Sequence, residues 1–166
     1  MPRDARNDGS RIAIVTPNMR GRDSATFRVT TIGETGDTVF SKLYPFSPVP
    51  ITAATLDSIR QHSRVTTNGS NARLPEDLAK LVADKMPAQY PPTLGVHVGR
   101  DKTVWVELRP TAPDTKLWLV LDPTGAPIGT ATFPKGFQLL ESDRAHAWGF
   151  ERSGQIINAL VRFRVR

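Results

Sequence analysis

The sequence predicts an all-β protein built from repeated antiparallel units, with a small helical insertion. Residues 27–45 and 118–134 share one pattern, from an aromatic residue through a Thr-Gly turn to an aromatic-Pro end. Gly36 aligns with Gly125 and Pro45 with Pro134 at the same offset, and internal similarity of this kind is typical of repeat architectures. The 14 Pro and 12 Gly among 166 residues also favour a turn-rich β chain over a helical bundle.

The first unit follows a polar amino terminus, residues 1–10, which we expect to be disordered. Residues 11–17 are a short run of β-forming residues closed by proline, which indicates a strand. Residues 25–32 and 37–44 are predicted to pair as a hairpin around Gly33-Glu-Thr-Gly36, since glycine supplies the positive φ of tight turns.

An insertion is predicted over residues 46–92. It contains a helical stretch over 52–62 and a second over 75–85, which has proline at its first position, acidic residues in its first turn and an apolar face. Residues 65–73, which include Asn68-Gly-Ser-Asn71, are predicted to form an exposed, mobile loop. Such insertions decorate the rim of a repeat scaffold, where binding tends to occur.

The second unit repeats the plan of the first. Strands are predicted over 93–98 and 103–108 around the turn Gly99–Lys102, and over 116–121 and 128–133 around Asp122-Pro-Thr-Gly125, whose proline and glycine suit a type I turn. A third, incomplete unit covers 137–166, with strands over 144–150 and 155–165 and a turn at 151–154.

Aromatic and arginine residues recur along these strands. Trp105, Trp118 and Trp148 fall on separate predicted strands, which indicates packing between sheets rather than a ligand platform. Arg162, Arg164 and Arg166 alternate with apolar residues, so a strand would present three guanidinium groups on one face. We interpret this as an outer strand whose charge discourages edge pairing, rather than an anion site.

The net charge of +6 raises the question of a nucleic-acid partner, because phosphates favour Lys and Arg. The basic residues are scattered through the chain, and the motifs that read bases are missing. We therefore expect a solvated basic surface and consider nucleic acid an improbable partner.

Residues with catalytic or metal-binding chemistry form no recognisable motif. With no Cys, the chain has no disulfide, thiolate zinc site or Cys nucleophile. His62, His97 and His146 lack metal-ligand spacing, and neither a Gly-x-Ser-x-Gly elbow nor a phosphate loop occurs. Asp101, Asp122 and Asp143 adjoin turns, where aspartate is favoured because it bonds its own backbone. We predict no catalytic, cofactor-binding or metal-binding residue.

The sequence has no run of about 18 apolar residues that would span a membrane. Its opening residues lack the apolar segment of a secretory signal. The compartment is therefore unknown from sequence.

Several segments in order resemble one known class of protein. They are Gly-Asp-Thr-Val-Phe (36–40), Tyr-Pro-Phe-Ser-Pro-Val-Pro-Ile (44–51), Gly-Arg-Asp-Lys-Thr-Val-Trp-Val (99–106), Trp-Leu-Val-Leu-Asp-Pro-Thr-Gly (118–125) and Ala-Trp-Gly-Phe-Glu-Arg-Ser-Gly (147–154). Over residues 11–166 the chain resembles the C-terminal part of bacterial six-bladed β-propellers of the NHL-like or TolB-like class. The resemblance implies four-stranded antiparallel blades, about two plus a partial closing blade. It also implies an extracytoplasmic location if the chain is truncated at its amino terminus.

The chain is short for that class, because six blades need about 250 residues at roughly 40 per blade. Fewer than about three repeats seldom fold stably alone. We expect either a fragment of a longer propeller or a chain that completes its ring by self-association.

Two functional hypotheses remain. The first is a non-catalytic propeller module that binds a protein, peptide or glycan through its loop rim. The alternative is a calcium-dependent propeller hydrolase of the lactonase or esterase kind, which would use His97 or His146 with an inward carboxylate. That alternative requires Asp101, Asp122 and Asp143 to converge on a shared calcium or water position.

Overall fold

The computed structural model describes residues 3–5, 10–17, 25–62, 64–67, 70–73, 75–110, 114–153 and 156–164. Within these ranges the chain has antiparallel sheets and two helices, so the predicted all-β class with a small helical insertion is confirmed. The elements up to the insertion are β1 (Arg3–Ala5), β2 (Arg11–Pro17), β3 (Thr26–Gly33) and β4 (Thr38–Pro45). Those of the insertion are α1 (Ala53–His62), β5 (Arg64–Thr67), β6 (Ser70–Arg73) and α2 (Glu76–Asp84). The remaining strands are β7 (Thr93–Val98), β8 (Val104–Leu108), β9 (Thr115–Leu121), β10 (Pro127–Pro134), β11 (Phe137–Ser142), β12 (His146–Ser153) and β13 (Ile156–Arg164).

Three of the sheets are meanders, in which each strand pairs with the next along the chain. The first sheet has the order β1-β2-β3-β4, the second β10-β9-β8-β7 and the third β11-β12-β13. Residues 1–10 were expected to be disordered, but β1 lies among them and pairs with β2 over three residues. Strand β11 was likewise not recognised from the sequence.

The two repeated stretches occupy the same place in their sheets, because β3-β4 and β9-β10 are the last two strands of the first and second meanders. Their turns also match. Gly36 and Gly125 have φ values of 86° and 81°, and each donates its N–H to the carbonyl oxygen three residues earlier. In the β7–β8 turn Lys102 takes this position with a φ of 67°. One turn geometry therefore recurs three times.

The second sheet is buried on both faces. On one face Val104 and Val106 pack against the first sheet, in a core completed by alternate residues of β2 to β4 and by β7 and β9. On the other face Trp105 packs against the third sheet, with Phe133 and Phe137 in the same core. All three of these β8 residues are fully buried. Adjacent strand residues point to opposite faces, so one Val-Trp-Val sequence serves two cores.

The chain forms two compact units, Met1–Ser47 together with Pro91–Arg166, and Pro48–Tyr90. The second unit closes on itself through a bridge between Pro50 and Gln89. Helix α1 begins after Thr52, whose side-chain oxygen accepts the N–H of Thr55 as an N-cap.

The expectation of a mobile loop over 65–73 was wrong, since β5 and β6 form a two-stranded sheet with Thr67 opposite Ser70. The pairing leaves two residues, Asn68-Gly69, between the strands. These two lie outside the described residues, but Asn-Gly is a dipeptide typical of two-residue hairpin loops.

Two further expectations need correction. The turn predicted at 151–154 does not begin at residue 151, because β12 continues to Ser153. Residues 154–155 lie outside the described part. The three tryptophans do not all pack between sheets: Trp105 and Trp118 are buried on neighbouring strands of one sheet, whereas Trp148 is half-buried on the outward face of the third.

In β13 the predicted alternation is found for the described residues. Val161 and Phe163 pack against the core shared by the second and third sheets, and Arg162 and Arg164 are exposed. Arg166 lies outside the described residues. Among the described residues, neither helix has the length and apolar character needed to cross a membrane.

Candidate functional site

The strongest concentration of polar chemistry lies where the β7–β8 turn meets the β11–β12 turn. The backbone N–H of Arg100 donates to the carbonyl oxygen of Ser142 at 2.9 Å. Gly99 allows this approach, since a Cβ there would lie 2.7 Å from the same carbonyl oxygen. We call the side chains at this junction the turn cluster: Arg100, Asp101, Asp143, His146 and Trp148.

Asp101 connects the two turns. Its Oδ1 accepts hydrogen bonds from the N–H and hydroxyl of Thr103, at 3.2 and 2.7 Å, within its own turn. Its Oδ2 accepts the backbone N–H of Arg144 in the other turn at 2.7 Å. Both carboxylate oxygens are therefore engaged in holding backbone.

Asp143 makes the reciprocal connection. Its Oδ1 accepts the N–H groups of Ala145 and His146, both at 2.8 Å, and its Oδ2 accepts Nε of Arg100 at 3.1 Å and a second bond from Nη2. Burial acts to raise the pKa of Asp143, but the Arg100 and backbone hydrogen bonds outweigh it and the pKa is lowered. The charged carboxylate is thus the stable form at neutral pH.

Arg100 also stacks on an aromatic ring. Its guanidinium carbon lies 4.1 Å from the centroid of the Trp148 ring, in a cation–π arrangement. The ring of His146 lies 5.3 Å from Trp148 between centroids, and its Nδ1 is 3.4 Å from Oδ1 of Asp143. The side chain of Arg100 is about half exposed, so the cluster faces solvent on one side.

His97 lies beside the cluster on β7. Its Nε2 is 3.6 Å from Oε1 of Glu141, and that oxygen also accepts the N–H of Ser142 at 2.8 Å. The side chain of His97 is mostly buried, whereas that of Glu141 is about half exposed. Both histidines named for the hydrolase hypothesis therefore lie near carboxylates on the β11–β12 hairpin.

Asp122 takes no part in the cluster. Its Oδ1 accepts from the N–H and hydroxyl of Thr124 and from the N–H of Ala126, at 2.7 to 2.9 Å, all within its own turn. These bonds, led by that of the Thr124 hydroxyl, lower the pKa of Asp122.

All three turn aspartates therefore accept hydrogen bonds from backbone N–H groups, as the turn-forming interpretation expects, but only Asp101 and Asp143 share one junction. Among the described residues, no group of three or more His, Asp or Glu side chains is placed to hold a metal ion. The convergence that the hydrolase hypothesis requires is not present in that part of the chain. His62 ends α1, and its side chain lies outside the described residues.

The contribution of Arg100 could not be read from the sequence. It pairs with Asp143 across 43 residues and stacks on Trp148, and each contact depends on the second and third sheets packing together. The sequence offered only a weaker signal for this site. Asp101 lies two residues before Thr103 and Asp143 three residues before His146, and both positions are typical of turns.

Fold and site together define an all-β protein of stacked antiparallel sheets with a polar, aromatic cluster at a junction of turns. No known protein-family model matches the chain, and no curated protein shows significant similarity to it. The resemblance to six-bladed propellers therefore stays a prediction.

Proposed function

We propose that this chain is a non-catalytic module of propeller-like blades that binds a protein, peptide or glycan through its loop rim. The observation that carries the proposal is the turn cluster, where the β7–β8 turn and the start of β12 bring Arg100, His146 and Trp148 together. A planar cation, an imidazole and an indole offer hydrogen-bonding and stacking contacts to such ligands.

The rim is suited to binding because its backbone is already held in place. Asp101 and Asp143 fix both turns through hydrogen bonds to backbone N–H groups, and one of these bonds crosses between the turns. A surface that is ordered before the ligand arrives loses less conformational entropy on binding. The same engagement favours binding over catalysis, since neither carboxylate is left available as a general base.

Propeller-like stacking is supported by the second sheet, which is covered on both faces by its neighbours. Among the described residues, the outward face of the first sheet exposes Ile12, Val39 and Leu43, each more than a third accessible. Apolar strand faces gain stability when another sheet covers them. We propose that missing blades of a longer protein, or a second copy of the chain, occupy this face.

Rim binding is tested by probing the chain on a glycan array and with a displayed peptide library. We expect ligands whose binding falls at least tenfold in Arg100→Gln and is unchanged in Arg28→Gln, an exposed arginine on β3. Thermal melts establish that both variants are folded. If no ligand is recovered, or if the recovered ligands bind Arg100→Gln as tightly as the wild type, the proposal of rim binding is contradicted. Calcium-dependent turnover of ester or lactone substrates would contradict the non-catalytic assignment.

Self-association is tested by sedimentation of the purified chain over a range of concentrations. We expect an oligomer that dissociates in Val39→Lys/Leu43→Lys, because the added charges would be buried at the interface. The control Thr130→Lys/Thr132→Lys places equal charge at exposed positions of β10 outside this face and should leave the oligomer intact. A monomer that melts cooperatively would exclude a second copy as the partner of this face. Missing blades of a longer protein would then remain as the proposed partner.

A further inference from the structure

The outward face of the third sheet differs from the packed sheet faces of the two described cores. On its central strand, β12, Ala147 and Gly149 are buried inward, so Trp148 and Phe150 point outward. Arg162 lies directly opposite Trp148 on β13, and Leu160 lies opposite Phe150. We call these outward residues, with Arg152 and Arg164, the open face.

Guanidinium groups lie against both aromatic rings. Arg100 is 4.1 Å from the Trp148 centroid, and the guanidinium carbon of Arg152 is 5.0 Å from that of Phe150. Arginine planes stacked on rings extend the flat surface that the rings provide. The open face thus combines planar groups with cationic ones on adjoining positions of one sheet.

The charge on the open face is predominantly positive, although Glu141, the cross-strand partner of Trp148 on β11, brings a half-exposed carboxylate beside it. Asp143 matches Arg100, but within the described part of the chain no carboxylate lies at ion-pair distance from Arg152, Arg162 or Arg164. Arg162 and Arg164 are exposed. A polyanion would find three unmatched guanidinium groups here.

A further apolar sheet would fit this surface poorly. The two buried cores between sheets are formed by aliphatic and aromatic residues. Covering the open face in the same way would remove Arg162 and Arg164 from water without partners, which is strongly unfavourable. The exposed apolar face of the first sheet and this basic face therefore suit different partners.

We propose that the open face binds single-stranded nucleic acid without sequence preference. Such binding combines aromatic or guanidinium planes, on which bases stack, with cations that follow the phosphate backbone. It needs none of the base-reading motifs whose absence made nucleic acid improbable from the sequence. An acidic peptide would satisfy the arginines but would make no use of the aromatic pair. The open face shares Trp148, and Arg100 stacked on it, with the turn cluster. The inference goes beyond the rim binding proposed above and does not require a protein, peptide or glycan ligand there.

The test uses a fluorescein-labelled oligo-dT of about 15 nucleotides, the upper size of a compact single-strand site, titrated with the full chain at several salt concentrations. We expect binding at low salt that weakens steeply as salt rises, with a slope of about −0.7 for each phosphate contacted. No binding at low salt would overturn the proposal. Equal competition by polyglutamate of matched charge would overturn it in favour of a merely anionic partner.

The variant Arg162→Gln/Arg164→Gln should bind at least tenfold more weakly and reduce the salt slope by about 1.4, the share of two contacts. The matched control Arg28→Gln/Lys42→Gln removes the same charge from exposed positions of the first sheet and should change affinity less than twofold. An equal loss of affinity in both variants would show that net charge alone attracts the oligonucleotide. That result would refute binding at the open face.

Tryptophan fluorescence supplies a second readout. Trp105 and Trp118 are buried, so stacking at the open face should quench Trp148 selectively. Trp148→Phe keeps an aromatic ring and should retain binding within about threefold while losing most of the quenching. Quenching that persists in Trp148→Phe would place the nucleic acid elsewhere on the protein.

Discussion

Tyr44 donates its hydroxyl hydrogen to the carbonyl oxygen of Gly125, with 2.6 Å between the oxygens. Tyr44 lies at the end of the first repeat, and Gly125 lies in the turn of the second. The bond is buried, and its surroundings raise the pKa of Tyr44 to about 12, through burial and then the negative charge of Asp122. A single polar contact therefore joins the two copies of the repeat inside their shared core.

We expect Tyr44→Phe to lower the free energy of unfolding by about 1–3 kcal/mol, because the buried carbonyl of Gly125 loses this partner. Urea unfolding of the two proteins would measure the difference. Ser41→Ala is the control, since it removes only exposed hydrogen bonds, with Thr30 and Arg28, and should cost less than about 0.5 kcal/mol. Equal effects of both changes would mean that the buried Tyr44–Gly125 bond stabilises the fold no more than an exposed hydrogen bond does.

The same tyrosine predicts an alkaline loss of stability. The raised pKa means that the folded protein retains the phenolic proton after the unfolded chain, near pH 10, has begun to lose it. The contribution is complete below about pH 10 and is lost as pH rises through about 12. Unfolding free energies measured across this range should fall less steeply in Tyr44→Phe. Parallel curves for the two proteins would contradict this assignment.

The two repeat glycines form a matched pair for substitution. Gly36→Ala introduces a side chain at a φ of 86° with no neighbour within 4 Å, so we expect only the backbone cost of about 1–2 kcal/mol. Gly125→Ala carries a similar backbone cost, and its Cβ would lie 2.6 Å from the Phe40 ring. Overpacking of that kind adds about 1–3 kcal/mol. Chemical denaturation should therefore show a larger loss in the free energy of unfolding for Gly125→Ala than for Gly36→Ala. An equal loss would show that the Phe40 ring moves aside freely.

Asp143→Asn should reduce the acid sensitivity of folding. The pKa of Asp143 is lowered from 3.8, so its stabilisation is present above that pH and is lost as pH falls through the folded-state value. The variant should be less stable than the wild type at pH 7 and lose less on acidification. Thermal melts between pH 7 and the acid transition would show this as converging melting temperatures. A constant gap at every pH would assign the effect to geometry rather than charge.

The hairpins were predictable because their turns are determined by glycine and aspartate residues within four or five positions of one another. Gly36 and Gly125 therefore located two hairpins without any tertiary information. Strand β11 was not recognised, since Phe-Gln-Leu-Leu-Glu-Ser contains good helix formers and becomes a strand by pairing with β12.

The candidate site depended on long-range packing and was only partly visible. Asp101, Asp143 and His146 could be named from the sequence, but their junction through Arg100 required sheets distant in sequence to meet. Trp148 was assigned to a core because aromatic residues usually fill one. Strand alternation from buried Ala147 instead turns its ring outward, which the spacing of tryptophans along the chain could not reveal.

The links between the sheets differ greatly in length. Only Lys135 and Gly136 separate β10 from β11, whereas the whole unit Pro48–Tyr90 stands between β4 and β7. The two-residue link lets the second and third meanders pack together at little cost in loop-closure entropy, whereas packing of the first meander on the second closes a far longer loop.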